Sequence, residues 1–329
     1  MPKPAKILLT NLREQVHPAD VFVCCASFET RSQSVPAQLE GVPFTRALIC
    51  ANENFPRVIR QGAKQLQHRF GRIARLVHLN TDNPLRTADS LQEAIDGALR
   101  SNLNRFLVDI TTFTHESLLI LLRIFQLRAV NSIEFLYTTA KEYSVGDPDD
   151  QKWLTKGIGE VRSVLGYPGR AVPSHKLHLI IMAGFEADRA ERLLQEYEPS
   201  KVSLGLGDPD YSISPDHYKA NKLFHQKLLE KYANVLEFTF SCSDPEATRD
   251  ALRTQALRLP KHNVLIAALN TKISTLGAAL LALEDDSIQL CYATAHQYNE
   301  TRYSTPGDHC YYFATALPAL LPTQPTVAP

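Results

Sequence analysis

The sequence predicts an α/β protein: two tandem Rossmann-like units, each a doubly wound parallel sheet, related by internal duplication. Three observations support this. Short apolar runs such as VFVCCA, RALIC and RFLV alternate with longer stretches of helical periodicity. Runs of four to eight residues without polar alternation suit strands buried on both faces, as in a parallel sheet, and their alternation with helices implies βαβ crossovers. The third observation is that the whole order of runs and turns occurs twice.

In order, the first copy reads VFVCCASFETR, RALICANEN, RLVHLNTDNP, RFLVDITTFTHESLLILLRIF and IEFLYTTAKEYS. The second reads LHLIIMAGFEADR, KVSLGLGDP, LEFTFSCSDP, NVLIAALNTKISTLGAALLALE and IQLCYATAHQYN. Landmarks keep their spacing: Phe185 lies 157 residues after Phe28, Pro245 161 after Pro84, and Tyr292 155 after Tyr137. Repeats of this kind set the architecture. The first Rossmann-like repeat is expected at 1–145 and the second at 176–315, joined by a connecting segment at 146–175 that reads as one helix between loops. Residues 316–329 read as a flexible tail. Helices are expected at 88–100 and 217–232, with Asp82 and Asp244 as helix caps.

Hydrophobic residues make up 44% and charged residues 21% of the 329, with a formal net charge of zero. That composition can give each half its own core. It supplies no broad basic face for nucleic acid or an acidic membrane. The six cysteines show no CxxC and no zinc-ligand spacing, and four lie inside strand-like runs. They read as reduced core thiols of a cytoplasmic protein. MPKPAKILLTNLREQ lacks the apolar core of a secretory signal, and no stretch reaches the roughly 20 apolar residues of a membrane span. With no GxGxxG, Walker loop, HExxH or GxSxG, neither a cofactor nor a metal is expected.

Ligands of open parallel sheets sit beyond the carboxyl ends of the strands, near the switch in strand order. The candidates are therefore the residues just after each run. The first strand of each copy ends in Phe-Glu with an arginine behind it: Glu29 and Arg31, then Glu186 and Arg189. Each pair can contact a ligand or close on itself as an ion pair. The fourth strand of the first copy runs into Asp109, Thr111, Thr112, Thr114 and His115 before an apolar helix. The second copy has Asn270, Thr271, Lys272, Ser274 and Thr275 there. Hydroxyls and free N–H groups at a helix start form an anion site suited to phosphate, and ordinary N-capping is the alternative. The fifth strand ends in Y-x-T-A-x-x-Y twice, with Tyr137 and Thr139, then Tyr292, Thr294 and His296. Such tyrosines can stack on a base or pack between the copies. Asn52 and Glu53, with Gly207 and Asp208, occupy the ribose-contact position of nucleotide-binding folds.

The turn Asp109-Ile110-Thr111-Thr112-Phe113-Thr114-His115 resembles the strand-four turn of CRISPR-associated Rossmann-fold (CARF) sensor domains, D-x-T-G-G-T-K. Asp109, Thr111 and Thr114 match. Thr112 and Phe113 replace the glycines, His115 the lysine, and the second copy has Ala268 for the aspartate. The resemblance implies a tandem pair of sensor domains, binding a cyclic oligoadenylate in the cleft between them. The leading functional expectation is thus a sensor or regulatory protein, in prokaryotic defence, for a small nucleotide-type or phosphate-bearing ligand. One alternative is a metal-independent phosphodiesterase using Glu29, Glu186, His115 or Lys272. Another is a non-catalytic module that docks a protein encoded by a neighbouring gene.

Overall fold

The computed structural model describes residues 3–53, 56–145 and 153–320. An edge strand β1 (Ala5–Leu8) and one turn of helix α1 (Leu12–Gln15) open the chain. The first copy follows as β2 (Val21–Ala26), a short α2 (Ser34–Gln38), β3 (Arg46–Asn52), α3 (Pro56–Phe70), β4 (Ala74–Leu79), α4 (Pro84–Leu99), β5 (Arg105–Asp109), α5 (His115–Leu127) and β6 (Ser132–Tyr143). After β7 (Thr155–Pro168) the second copy gives β8 (Lys176–Met182), α6 (Ala187–Tyr197), β9 (Lys201–Gly207), α7 (Pro215–Lys231), β10 (Leu236–Phe240), α8 (Pro245–Leu257), β11 (His262–Ala268), α9 (Lys272–Glu284) and β12 (Gln289–Tyr298). Strand β13 (Ser304–Ala314) comes last.

The parallel strands run β4-β3-β2-β5-β6 in one sheet and β10-β9-β8-β11-β12 in the other. Both copies are therefore Rossmann-like α/β units with the same order, and the switch falls between β2 and β5 and between β8 and β11. Local chemistry explains the helix starts. Proline opens α4, α7 and α8, each behind a capping side chain, Asn83, Ser214 and Asp244. Asp244 caps as expected, whereas α4 is capped by Asn83 rather than Asp82.

Neither connecting segment keeps to its own copy. β6 takes β13 as its antiparallel neighbour, a strand that follows the second copy. β12 takes β7, which lies between the copies. The sixth strands are thus exchanged. This corrects two sequence expectations. The segment 146–175 holds an edge strand rather than a helix, with 146–152 outside the described residues. The stretch 304–314, expected within the second repeat, completes the first sheet. Of the expected tail, 316–320 forms neither helix nor strand, and 321–329 lies outside the described residues.

Packing joins the copies further. Helices α5 and α9 are buried along nearly their whole length and lie against each other between the sheets. One apolar cluster runs from Phe106 and Phe125 through this pair to Ile180 and Ile266, while separate clusters fill the outer face of each sheet. Gly277 lets α9 approach α8, since a Cβ there would come within 2.6 Å of the Thr248 side chain. All six cysteines are buried and unpaired.

Candidate functional site

Two cavities open where the carboxyl ends of the sheets meet, of about 840 and 710 Å³ measured out to their mouths. The first is built from the strand ends of the first copy with Arg189, Tyr292 and Tyr298 reaching in from the second. The second is built from the strand ends of the second copy with Arg31, Tyr137 and Tyr143 reaching in from the first. Glu29, His115, Glu186, Lys272 and Tyr303 border both.

Each copy contributes the same constellation. The Arg31 guanidinium donates to Glu29 at 2.6 Å and to the Thr138 carbonyl at 3.2 Å, and lies 5.3 Å from the Tyr143 ring. Arg189 sits 3.3 Å from the Glu186 carboxylate and between the Tyr292 and Tyr298 rings, at 5.7 and 6.0 Å. The exchanged strands close each unit: Ser304 of β13 donates to Glu29 at 2.5 Å, and Thr155 of β7 donates to Glu186. Across the pseudo-two-fold axis, Phe28 packs on Tyr298 at 5.8 Å and Phe185 on Tyr143 at 5.1 Å. The Phe-Glu of one copy thus meets the second tyrosine of the other copy's Y-x-T-A-x-x-Y.

The centre is unequal. Thr114 and Thr271 are the N-caps of α5 and α9, accepting from Ser117 and Ser274 backbone N–H groups. The next residues, His115 and Lys272, are equivalent and face each other, Nε2 to Nζ at 3.4 Å. The Thr275 hydroxyl donates its one proton to the Thr271 carbonyl at 3.0 Å and lies 2.6 Å from His115 Nδ1. Nδ1 must then carry the ring proton, which leaves Nε2 as an acceptor for the Lys272 ammonium. Burial pushes the His115 pKa well below the imidazole range, with Lys272 and Arg189 adding to the shift. Burial also lowers Lys272, to about 8, with the two carboxylates and the two guanidinium groups pulling in opposite directions.

Of the residues expected at the site, Glu29, Thr112, Thr114, His115, Glu186, Arg189, Lys272 and Tyr292 border the first cavity. Arg31, Thr111, Tyr137, Asn270 and Thr271 border the second. Several lie elsewhere. Asp109 is buried behind the wall, accepting from the Thr111 backbone N–H at 3.1 Å and from its hydroxyl, and burial raises it to about 6. Thr139 donates to the His309 carbonyl, Ser274 is spent on its cap, and Thr294 donates to the Glu160 carbonyl. His296 is exposed on the outer part of β12, against Gly157. The strand registers place Ala267, rather than Ala268, opposite Asp109 in the duplication.

Sequence reasoning did not select Phe28, Phe185, Tyr143, Tyr298 or Tyr303, nor His217 and Asn221 on α7. Tyr143 and Tyr298 stood inside a motif already recognised in both copies, whereas Tyr303 lies beyond it. His217 and Asn221 had a signal too, two polar residues four apart on a helix whose inward face should be apolar.

Among the described residues no group of histidine, cysteine and carboxylate side chains could hold a metal, and no helix is long and apolar enough to cross a membrane. No protein-family model and no curated protein matches the chain. Solved structures resemble it only distantly. NADPH-bound carbonyl reductase from chicken fatty liver is 8% identical at a TM-score of 0.29, over 86% of this chain and 93% of that one. UDP-GlcNAc 2-epimerase from Neisseria meningitidis is 9% identical at 0.23, over 75% and 76%. At such scores they carry no argument about the site, and the reading of the cleft stands on its own geometry.

Proposed function

We propose that this chain binds a nucleotide-type, phosphate-bearing ligand in the cleft between its two copies. Lys272 is the observation that supports this most. Its ammonium stands where both cavities meet, and no carboxylate among the described residues is within ion-pair distance of it. Glu29 and Glu186 are each held by their own arginine and hydroxyl. With His115 neutral, the two Glu–Arg pairs cancel and one positive charge is left over. A cleft with an unmatched cation between two helix N-termini is complementary to an anion.

The pseudo-two-fold pairing of the cavities suits a ligand that reaches into both, and the CARF resemblance suggests a cyclic oligonucleotide read by a sensor. His115 is a positioning residue in this reading, since its lone pair is turned onto Lys272. A thermal-shift screen with inorganic phosphate, nucleotides and cyclic oligonucleotides tests it. A ligand at about a hundred times its Kd adds about 2.7 kcal/mol of stability, a readily measured rise in Tm. Lys272→Met is expected to abolish the rise with the fold intact, and a screen in which no member shifts the Tm overturns the reading. Chromatography of the bound ligand after prolonged incubation decides between a sensor and a phosphodiesterase: an unaltered ligand supports sensing, and a cleaved one supports turnover.

A further inference from the structure

Two residues that border the cavity of the second copy each carry a buried polar atom without a hydrogen-bond partner among the described residues. His217 is 8% and Asn221 6% exposed, and the atoms concerned are His217 Nε2 and Asn221 Oδ1. Buried polar groups are almost always paired, and one left unpaired costs roughly 1–3 kcal/mol. The fold does not require them. The corresponding helix of the first copy, α3, turns Ile59, Ala63 and Leu66 inward, and Ile59 borders the first cavity. Helix α7 instead buries His217, Asn221 and His225 ahead of Leu228. The other polar groups of the strand-four turn are already used: Asn270 donates to the Ala183 carbonyl and Thr271 to that of Cys242.

The walls around the two atoms are aromatic and apolar. Tyr143 and Phe185 lie 5.1 and 5.8 Å from the His217 ring, and Ile213 and Leu269 also border the space. Tyr143, Phe185 and His217 form one aromatic cluster, and such a cluster beside hydrogen-bonding atoms is suited to a flat ring that carries its own donors and acceptors. Resting on the reading of the cleft given above, we infer that this cavity is a nucleobase subsite. Asn221 and His217 read the edge of the base, Tyr143 and Phe185 bound its face, and Lys272 meets the phosphate. Because Ile59 stands in the matching place of the first cavity, a mononucleotide enters one way round, base toward α7.

Titration calorimetry of the whole chain with inorganic phosphate, tripolyphosphate and adenosine, inosine, guanosine, cytidine and uridine monophosphates tests this. One nucleotide is expected to bind at least tenfold more tightly than inorganic phosphate. Within the set, changing one group on the base edge is expected to cost about tenfold. Asn221→Leu and His217→Phe, changes toward the apolar face that α3 already carries, are expected to erase that preference and leave phosphate affinity as it was. If every nucleotide binds no better than phosphate, the base subsite is wrong and the anion reading stands. If nucleotide preference survives both substitutions, the two atoms serve a trapped water and the inference is overturned. If neither phosphate nor any mononucleotide binds, this inference is overturned, and the thermal-shift screen with cyclic oligonucleotides decides the reading of the cleft separately. The wild-type comparison of bases keeps the test open should either variant misfold.

Discussion

Lys272 sets a pH dependence that an ordinary surface lysine would not. With its pKa held at about 8, the free protein presents the ammonium below pH 8 and a neutral amine above it. Anion affinity is therefore expected to fall as pH rises from 7 to 9, roughly tenfold per unit once past 8. Titration at several pH values checks this, and the fall should vanish in Lys272→Arg, whose charge persists. Removing the charge should also cost the empty protein nothing: Lys272→Met is expected to be at least as stable as wild type, since it removes a cation that burial disfavours. A second residue-scale prediction concerns His178, buried in the second sheet with Nε2 2.8 Å from the Ser203 hydroxyl and held down to about 4 by burial. The unfolded ring titrates near 6.5, so between pH 6.5 and 4 the unfolded chain binds the proton that the native state refuses. Stability should fall across that window as the solution is acidified. His115 and His217, also lowered by burial, act in the same direction, so His178→Asn should flatten the profile in part. An unchanged slope in urea melts at pH 7, 6 and 5 would refute the assignment.

At the scale of elements, Gly277 fixes where α9 sits and hence where Lys272 stands. Gly277→Ala would set a Cβ 2.6 Å from Thr248 and 2.7 Å from the Pro245 carbonyl, so α8 and α9 must part. A loss of about 1–3 kcal/mol is expected from urea denaturation, with weaker anion binding beside it. The parallel strands were legible in the sequence because burial on both faces leaves continuous apolar runs: β2 is buried at all its positions. The exchanged strands were not. β7, TKGIGEVRSVLGYP, is an edge strand of mostly intermediate or exposed residues, with glycines and charges that imitate a loop or a polar helix. β13 is interrupted by Pro306 and Gly307, and its register on β6 shifts there. Nor does periodicity say which sheet a strand joins. The same limit applies to the site: Glu29 and Arg31, with Tyr137 and Tyr292, were legible because they occur in both copies. Asn221 occurs once, and a polar residue at helical spacing reads as solvent-facing until the helix is seen to turn it inward.

On the scale of the whole molecule, the exchange of β7 and β13 makes the duplication one folding unit. Each sheet needs a strand carried by the far side of the other copy, and the central core runs through α5 and α9 without a break. The copies should therefore not melt separately. A single calorimetric transition is expected, with a van't Hoff enthalpy equal to the calorimetric one, whereas independent repeats would give two transitions or a ratio well below one. The same geometry says how to break the coupling. Ser304 pairs with Tyr143 across the antiparallel β13–β6 ladder, so the end of β6 lies beside the start of β13. Residues 1–145 alone lack that strand, leave the flank of β6 unpaired and lose the Ser304 bond to Glu29, and they should be insoluble or aggregate. Joining residue 145 to residue 302 through a two- to four-residue turn converts the exchange into a hairpin, and the resulting chain, 1–145 followed by 302–320, should express as a folded unit. It would still expose the face of α5 that packs on α9, so recovery is expected as a self-associating species in sedimentation rather than as a clean monomer. Equal solubility of 1–145 with and without the added strand would show that β13 contributes little to the first sheet, and the single-transition expectation would fall with it.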